Sequence, residues 1–301
     1  MSGMDNKMEL TIWEGDYGLP SICPDCIYMM LYTRIAKVPI DYKHHNNPYW
    51  DMGESFPIFK HGGIYTSNIQ LIIGYLRIKR YGTEFGLSSK QCSQSYAFSS
   101  LAENSLRPIL EYVWWVDHRN YEEFTRPWFI KAMPMPVNYL YPRCRRQKAN
   151  ALLASLFSEY ENQDLLSSFM FNMAEKCFTT LKVRLGSADY FYGAAPTSLD
   201  AMIYAYLAPL MKLPFPSNEI PRLLNTYKEL VDFIKRIDAE YYPDLKREAK
   251  YAIGEKKDDN NNADASPLSI RAKLVALLFA VSAMLLYAST HKALPKLFIF
   301  Y

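Results

Sequence analysis

The tail constrains this chain more than any other feature. Across residues 274–288 the only polar groups are the Ser282 hydroxyl and the Tyr287 phenol, with Arg271 and Lys273 just before and His291 and Lys292 just after. A helix on the surface of a core carries polar residues at every third or fourth position, whereas one that is apolar on nearly all sides must be wholly buried, in protein or in lipid. Its strongly apolar set is Leu274, Val275, Leu277, Leu278, Phe279, Val281, Leu285 and Leu286. At about 0.5 kcal/mol each these supply only about 4 kcal/mol of insertion preference. From residue 274 to 290 a helix reaches roughly 25 Å, against a hydrocarbon core of about 30 Å. The span is minimal, extended by snorkelling of Lys273 and Lys292, and better matched to a thin membrane than to a sterol-rich one.

Two readings stand for such a segment, a single transmembrane helix over 271–292 or a terminal helix buried in the body of the protein. The preceding residues 249–270 favour the first. They include the run GEKKDDNNNADAS, too polar to order itself by burial, and act as a flexible linker reaching roughly 25 Å. No acidic residue occurs from Ala265 onward, so both ends of the helix can meet anionic lipid. Few residues follow it, and the head therefore stays on the side of synthesis. The expectation is a tail anchor carrying a cytosolic head.

The head is large enough for one or two domains, since half of the 301 residues are hydrophobic. Lysine and arginine number 34 against 31 acidic residues, and no basic stripe interleaves with aromatics, which argues against nucleic acid as a partner. Cysteines stand at 23, 26, 92, 144 and 177, an odd and sparse set that suits a reducing compartment rather than a disulfide scaffold. The N-terminus MSGMDNKMEL has neither a signal core nor an arginine-rich amphipathic pattern, so targeting falls to the tail.

Along the head, apolar runs and breakers predict strand 10–13, helix 26–35, strand 38–42, a hairpin of strands 56–59 and 63–65 turning at His61-Gly62, and helix 67–81. That βαβ-ββα order over residues 1–87 is a thioredoxin-like domain, with Pro57 in the place before the third strand where that fold carries a cis-proline. Helical periodicity fills 93–248. Helices are predicted over 150–160, 165–185, 198–213 and 219–237. An aromatic stretch at 101–118 contains Tyr112, Trp114 and Trp115, and Trp128 and Met133 to Pro136 read as an irregular loop packed on it. The fold class is α+β, a two-domain head and one transmembrane helix.

Thr197 and Asp200, in APTSLD ahead of the apolar run AMIYAYLAPL, have the spacing of a capping box, each side chain satisfying a free amide of the other. With the GSADYFYG stretch before it, and about 110 residues beyond the βαβ unit, this box resembles that of the helical domain of glutathione transferases. WEGDYGLPS, SLAENSLRPIL, VWWVDHRNYEEFTRPWF, AMPMPVNY, LGSADYFYGAAPTSLDAMIYAYLAPL and the terminal anchor together resemble the metaxin family, specifically its anchored 1 and 3 type, over nearly the whole chain. The resemblance implies a non-enzymatic mitochondrial outer-membrane protein with its head in the cytosol. It implies work with a second metaxin-like subunit and with the sorting and assembly machinery for β-barrel proteins, and links to motor adaptors.

Cys23-Pro24-Asp25-Cys26 is the one constellation with chemistry of its own. A Cys23 thiolate at a helix N-terminus is stabilised, and Cys26 can resolve a mixed disulfide, although Asp25 sets a negative charge beside the nucleophile. Members of the metaxin type are not expected to need this pair. Zinc at Cys23 and Cys26 lacks two further ligands, since His44 and His45 diverge on a strand end. Glutathione binding requires an acidic or amide residue before a serine at the second helix; the chain has Thr66-Ser67, where Ser67 reads as an N-cap that can also meet a carboxylate. Tyr17 and Ser21 are thiol activators by position alone. Arg143, Arg145 and Arg146 read as a solvated helix entry. No cofactor is expected, as P-loop and dinucleotide fingerprints are missing. The alternative function is a tail-anchored glutathione-dependent transferase or thiol peroxidase using Cys23.

Overall fold

A computed structural model describes residues 7–47, 55–157, 163–245, 248–251 and 281–282. Met1–Ile253 forms one compact unit and Gly254–Tyr301 a second. Of the anchor residues only Val281 is described, within a helical pair with Ser282; Leu274, Val275, Leu277, Leu278, Phe279, Leu285 and Leu286 lie outside the described residues, as does the linker beyond Tyr251. Among the described residues no helix is long and apolar enough to cross a membrane.

The first unit opens on β1 (Met8–Ile12), whose alternating burial hides Met8, Leu10 and Ile12, the period-two signature of a strand with one face on the core. Helix α1 (Pro24–Ile35) starts with its proline in the first turn, where a missing N–H costs nothing. Strand β2 (Ile40–His44) runs parallel to β1. Strand β3 (Ile58–His61) runs antiparallel to β1, and β4 (Ile64–Thr66) antiparallel to β3, for a sheet order of β2-β1-β3-β4. The hairpin turns on Gly62 and Gly63, at φ 54° and 80°, one residue later than expected. Both central positions of this tight turn need positive φ, which the Gly-Gly pair supplies and His61 does not. The Phe56–Pro57 bond is cis.

Helix α2 (Ile69–Ile78) is capped by Asn68, whose side chain accepts from the Gln70 and Leu71 amides at 3.0 and 3.2 Å. Ser67, expected at the cap, sits one residue outside it. An amide oxygen reaches the second and third free N–H groups together, and the helix starts where that acceptor is.

The remainder is helical. Helix α3 (Ser89–Leu101) begins with a capping box of Ser88 and Gln91 and runs on through α4 (Arg107–Glu111), with a widened π-type turn at Ala102–Leu106 and another at Tyr112–Val116. Helix α5 (His118–Asn120) passes through a third such turn, Tyr121–Thr125, into α6 (Arg126–Ala132). The first and third wide turns end two residues before Pro108 and Pro127, which have no N–H to donate and would clash with the carbonyl four residues back. Trp128 therefore lies within a helix, 1% exposed, and not in an irregular loop. Then follow α7 (Val137–Leu156), α8 (Gln163–Leu185), α9 (Ser198–Lys212), α10 (Glu219–Thr226) and α11 (Lys228–Tyr241). The single helix expected over 219–237 is two. Tyr227 breaks it at φ −91° and ψ 81° as its ring packs on Phe178 at 5.7 Å and its hydroxyl meets Thr179 at 3.0 Å.

At the centre lies α9, buried at every position from Ser198 to Leu210. It packs against α1, and a single buried cluster joins Leu10 and Ile12 to Ile27 and Leu31, then to Leu199, Ile203 and Leu207, and on to Phe233 and Ile237. Each such side chain gives about 1.5–3 kcal/mol on burial, which is why a helix without a polar face is stable here. The sheet half and the helical half share one core.

Candidate functional site

The thiols singled out in the sequence lie at the N-terminus of α1, where Cys23 shares a cavity with Leu110, Trp115 and Phe129 of the helical half. Cys23 is the N-cap residue, in extended conformation and without a side-chain capping bond. Its own amide donates to the Ser21 hydroxyl at 3.3 Å. Ser21 is fully buried, and Tyr17, at φ 52°, lays its ring on Phe124 at 5.6 Å. These two residues shape the loop. Cys26 is fully buried, and burial together with a hydrogen bond to Cys23 pushes its thiol well above the usual range. All described cysteines are free thiols.

Asp25 does not confront Cys23. Its carboxylate pairs with Arg107 at 3.4 Å, and Arg107 is paired in turn with Glu103. Burial raises the Asp25 carboxyl and the Arg107 charge draws it back.

Opposite Cys23, the space is filled. Trp13 packs edge-on against Phe129 at 5.7 Å and tilts on Tyr141 at 5.5 Å, Trp115 lies 5.2 Å from Phe129, and the Arg145 guanidinium sits 5.4 Å from the Trp115 ring centre. What is left beside Cys23 is a cavity of about 50 Å³. A pocket that holds a drug-sized ligand measures roughly 300–1,000 Å³, several times this volume. At the N-terminus of α2 the Gln70 and Leu71 amides are bonded to Asn68, and Ser67 precedes that cap.

Arg145 and Arg146 are not a solvated helix entry; only Arg143 is exposed. Arg145 pairs with Glu111, whose side chain is 10% exposed. Arg146 stacks on Tyr121 at 4.2 Å and reaches Glu122 at 3.3 Å. The sequence signal for the first pair was an acid inside the apolar run ILEYVWWV, which demands a buried partner. His45 is tied to the sheet, its amide bonded to the Ile12 carbonyl at 2.9 Å. Among the described residues no cluster of three potential metal ligands occurs.

Three polar clusters hold α9, and two of them pin the halves together. Asp200, fully buried, accepts from the Thr197 amide and hydroxyl at 2.8 Å each and from the Phe191 amide at 2.9 Å, and with Thr197 it closes a capping box on α9. Glu84 joins Arg77 at 3.2 Å and Thr83 at 3.0 Å to the Ser198 hydroxyl. Burial alone would raise the Glu84 carboxyl, but the bonds from Ser198, Arg77 and Thr83 hold it below its ordinary value. At the other end of α9, Lys212 reaches Asp238 at 2.6 Å and the Gly18 carbonyl at 2.8 Å.

A fourth cluster was not anticipated. Asp16, 4% exposed, takes the Trp128 indole N–H at 2.7 Å and the Lys250 and Tyr251 amides at 2.6 and 3.2 Å. The Tyr251 ring stands edge-on to Trp128 at 5.5 Å and its hydroxyl donates to Glu14 at 3.2 Å. Lys250 and Tyr251, assigned from sequence to the start of the flexible linker, are thus bound to the head. A buried acid in GDYG was the available hint; apart from the Tyr17 amide, the donors named here lie more than a hundred residues away.

Comparison with known proteins follows this geometry. The family model Tom37, outer mitochondrial membrane transport complex protein, matches residues 26–146, and that of the glutathione S-transferase C-terminal domain matches residues 174–237. Metaxin-1 of Bos taurus is 32% identical over 289 residues, covering 95% of this chain and 90% of its own length. Metaxin-3 of Danio rerio is 32% identical over 251 residues, covering 82% and 80%. Among solved structures, the beta-etherase LigF of Sphingobium sp. superposes with a TM-score of 0.52 at 12% identity, covering 78% of this chain and 96% of its own. That likeness speaks for the fold alone, which is glutathione-transferase-like.

Proposed function

This chain belongs to the metaxin family, and from that premise we propose that it is a non-enzymatic component of the mitochondrial outer membrane, serving protein import and β-barrel sorting and assembly as a scaffold. The observation that carries the reading is similarity to metaxins along 95% of the chain. The filled cleft beside Cys23 supports the scaffold half of it: the cavity of about 50 Å³ keeps the transferase fold and discards the room for its co-substrate.

We divide the chain into a thioredoxin-like part at 1–87, a helical part at 93–248, a strap that ends at Tyr251 and binds the head, a linker at 252–270 and a tail anchor at 271–292, with the head in the cytosol. The anchor works by confinement. Holding the head against one membrane raises its effective concentration near a second metaxin-like subunit, the sorting and assembly machinery and motor adaptors, so modest contacts suffice.

The test is alkaline extraction of mitochondria carrying the full-length protein or Leu278→Arg with Leu285→Arg. Each mid-span arginine costs about 3 kcal/mol, together more than the roughly 4 kcal/mol the apolar residues supply. The unaltered chain stays in the membrane pellet and the variant leaves it. Equal recovery of both in the pellet refutes the anchor, and crosslinking that captures no outer-membrane import subunit refutes the scaffold.

A further inference from the structure

We infer that Cys23 and Cys26 form a modification site for small hydroperoxides, a dithiol that closes reversibly to a disulfide beside the Glu111–Arg145 pair. Four observations meet there. The Cys23 side chain makes no capping bond although it stands at the N-cap of the twelve-residue helix α1. Cys26 stands three residues on, one turn along the same face of α1, the spacing of a thiol that can resolve. The two nearby carboxylates that would oppose a thiolate are each met by a guanidinium, Asp25 by Arg107 at 3.4 Å and Glu111 by Arg145.

The fourth observation points to the ligand. Glu111 is 8% exposed, and while one carboxylate oxygen pairs with Arg145, the other, Oε2, is buried without a partner. The Glu111 side chain lines the same cavity as Cys23 and Arg145. A buried unpaired carboxylate oxygen costs about 1–3 kcal/mol or more, and a guest that donates a hydrogen bond recovers that. The cavity, about 50 Å³, exceeds the roughly 10–15 Å³ that one water needs and excludes a tripeptide. A hydroperoxide has the right size, an O–H to give to Glu111 and an oxygen to take a bond from Arg145.

The chemistry balances. The Cys23 thiolate attacks the terminal peroxide oxygen, the O–O bond breaks, and the departing alkoxide or hydroxide takes a proton to leave as alcohol or water. Cys23 is now a sulfenic acid. The Cys26 sulfur then attacks the Cys23 sulfur and expels hydroxide, which leaves as water with the Cys26 proton. Two thiols are oxidised to one disulfide, one peroxide is reduced by two electrons, and an external dithiol reverses the change.

The test uses full-length protein in detergent, with Cys92→Ser and Cys144→Ser removing the two exposed thiols. Hydrogen peroxide at near-stoichiometric amounts is followed by alkylation and mass mapping. Expected are a Cys23–Cys26 linked peptide, its loss with dithiothreitol, a dimedone adduct on Cys23 in the Cys26→Ser variant, and at least a tenfold faster reaction with hydrogen peroxide than with oxidised glutathione. Glu111→Gln, which keeps the shape of the side chain, slows the reaction several-fold while far-UV circular dichroism stays unchanged. Cys23 left unmodified in the folded protein, or oxidised glutathione reacting as fast as peroxide, overturns the proposal.

Discussion

At the residue scale, the buried acids decide what can be changed. Asp200 is enclosed by the Thr197 and Phe191 donors, so Asp200→Ala removes a cap and strands three donors. The expected loss is about 2–4 kcal/mol, read as a lower urea midpoint for residues 1–253; a shift under about 0.5 kcal/mol would contradict the role. Arg145→Met leaves Glu111 charged and uncompensated beneath Trp115, an expected cost of about 3 kcal/mol. The double variant Arg145→Met with Glu111→Leu should recover most of it in the same titration, because the penalty lies in the orphaned charge. The Thr197–Asp200 spacing was legible because both partners of a cap are local. The Glu111–Arg145 pair was not, since its members stand 34 residues apart and only the folded core brings them together.

At the element scale, α9 is held at its N-terminus by the sheet half through Glu84. The Glu84 carboxyl titrates lower in the folded chain than in the unfolded one. Its stabilisation is therefore complete above the unfolded carboxylate value near pH 4.5 and is lost as pH falls through the lower folded value. Urea midpoints measured from pH 6 down to pH 3 should fall more steeply for the natural chain than for Glu84→Gln, and parallel curves would contradict the link. A second element-level expectation concerns the strap at 248–251. Ending the chain at Leu245 rather than Ile253 leaves Asp16 with the Trp128 indole and the Tyr17 amide as its donors and should cost about 1–3 kcal/mol, seen as earlier thermal unfolding. The alternation of β1 and the apolar run of α9 were readable because period and composition are properties of contiguous residues. The break at Tyr227, the helical place of Trp128 and the shift of the α2 cap from Ser67 to Asn68 were not, since each follows from a tertiary contact or a competition between neighbouring side chains.

At the scale of the whole molecule, a transferase-like fold persists around a cleft that has been filled. The architecture was legible from element order and from the capping box of α9. The closure was not, because Trp13, Trp115, Phe129, Tyr141 and Arg145 come from four separate parts of the chain and converge only in the folded protein. Filling a catalytic cleft with aromatic rings buries large side chains and strengthens the contact between halves, a gain for a rigid docking body and a loss for a catalyst. The central claim is that this body no longer holds glutathione. Calorimetric titration of the full-length protein with reduced glutathione up to about 10 mM, well beyond the weak-millimolar range of marginal binding, tests it most directly. The account predicts no saturable heat and no thiol conjugation above background, whereas a saturable isotherm abolished by Cys23→Ser would contradict it.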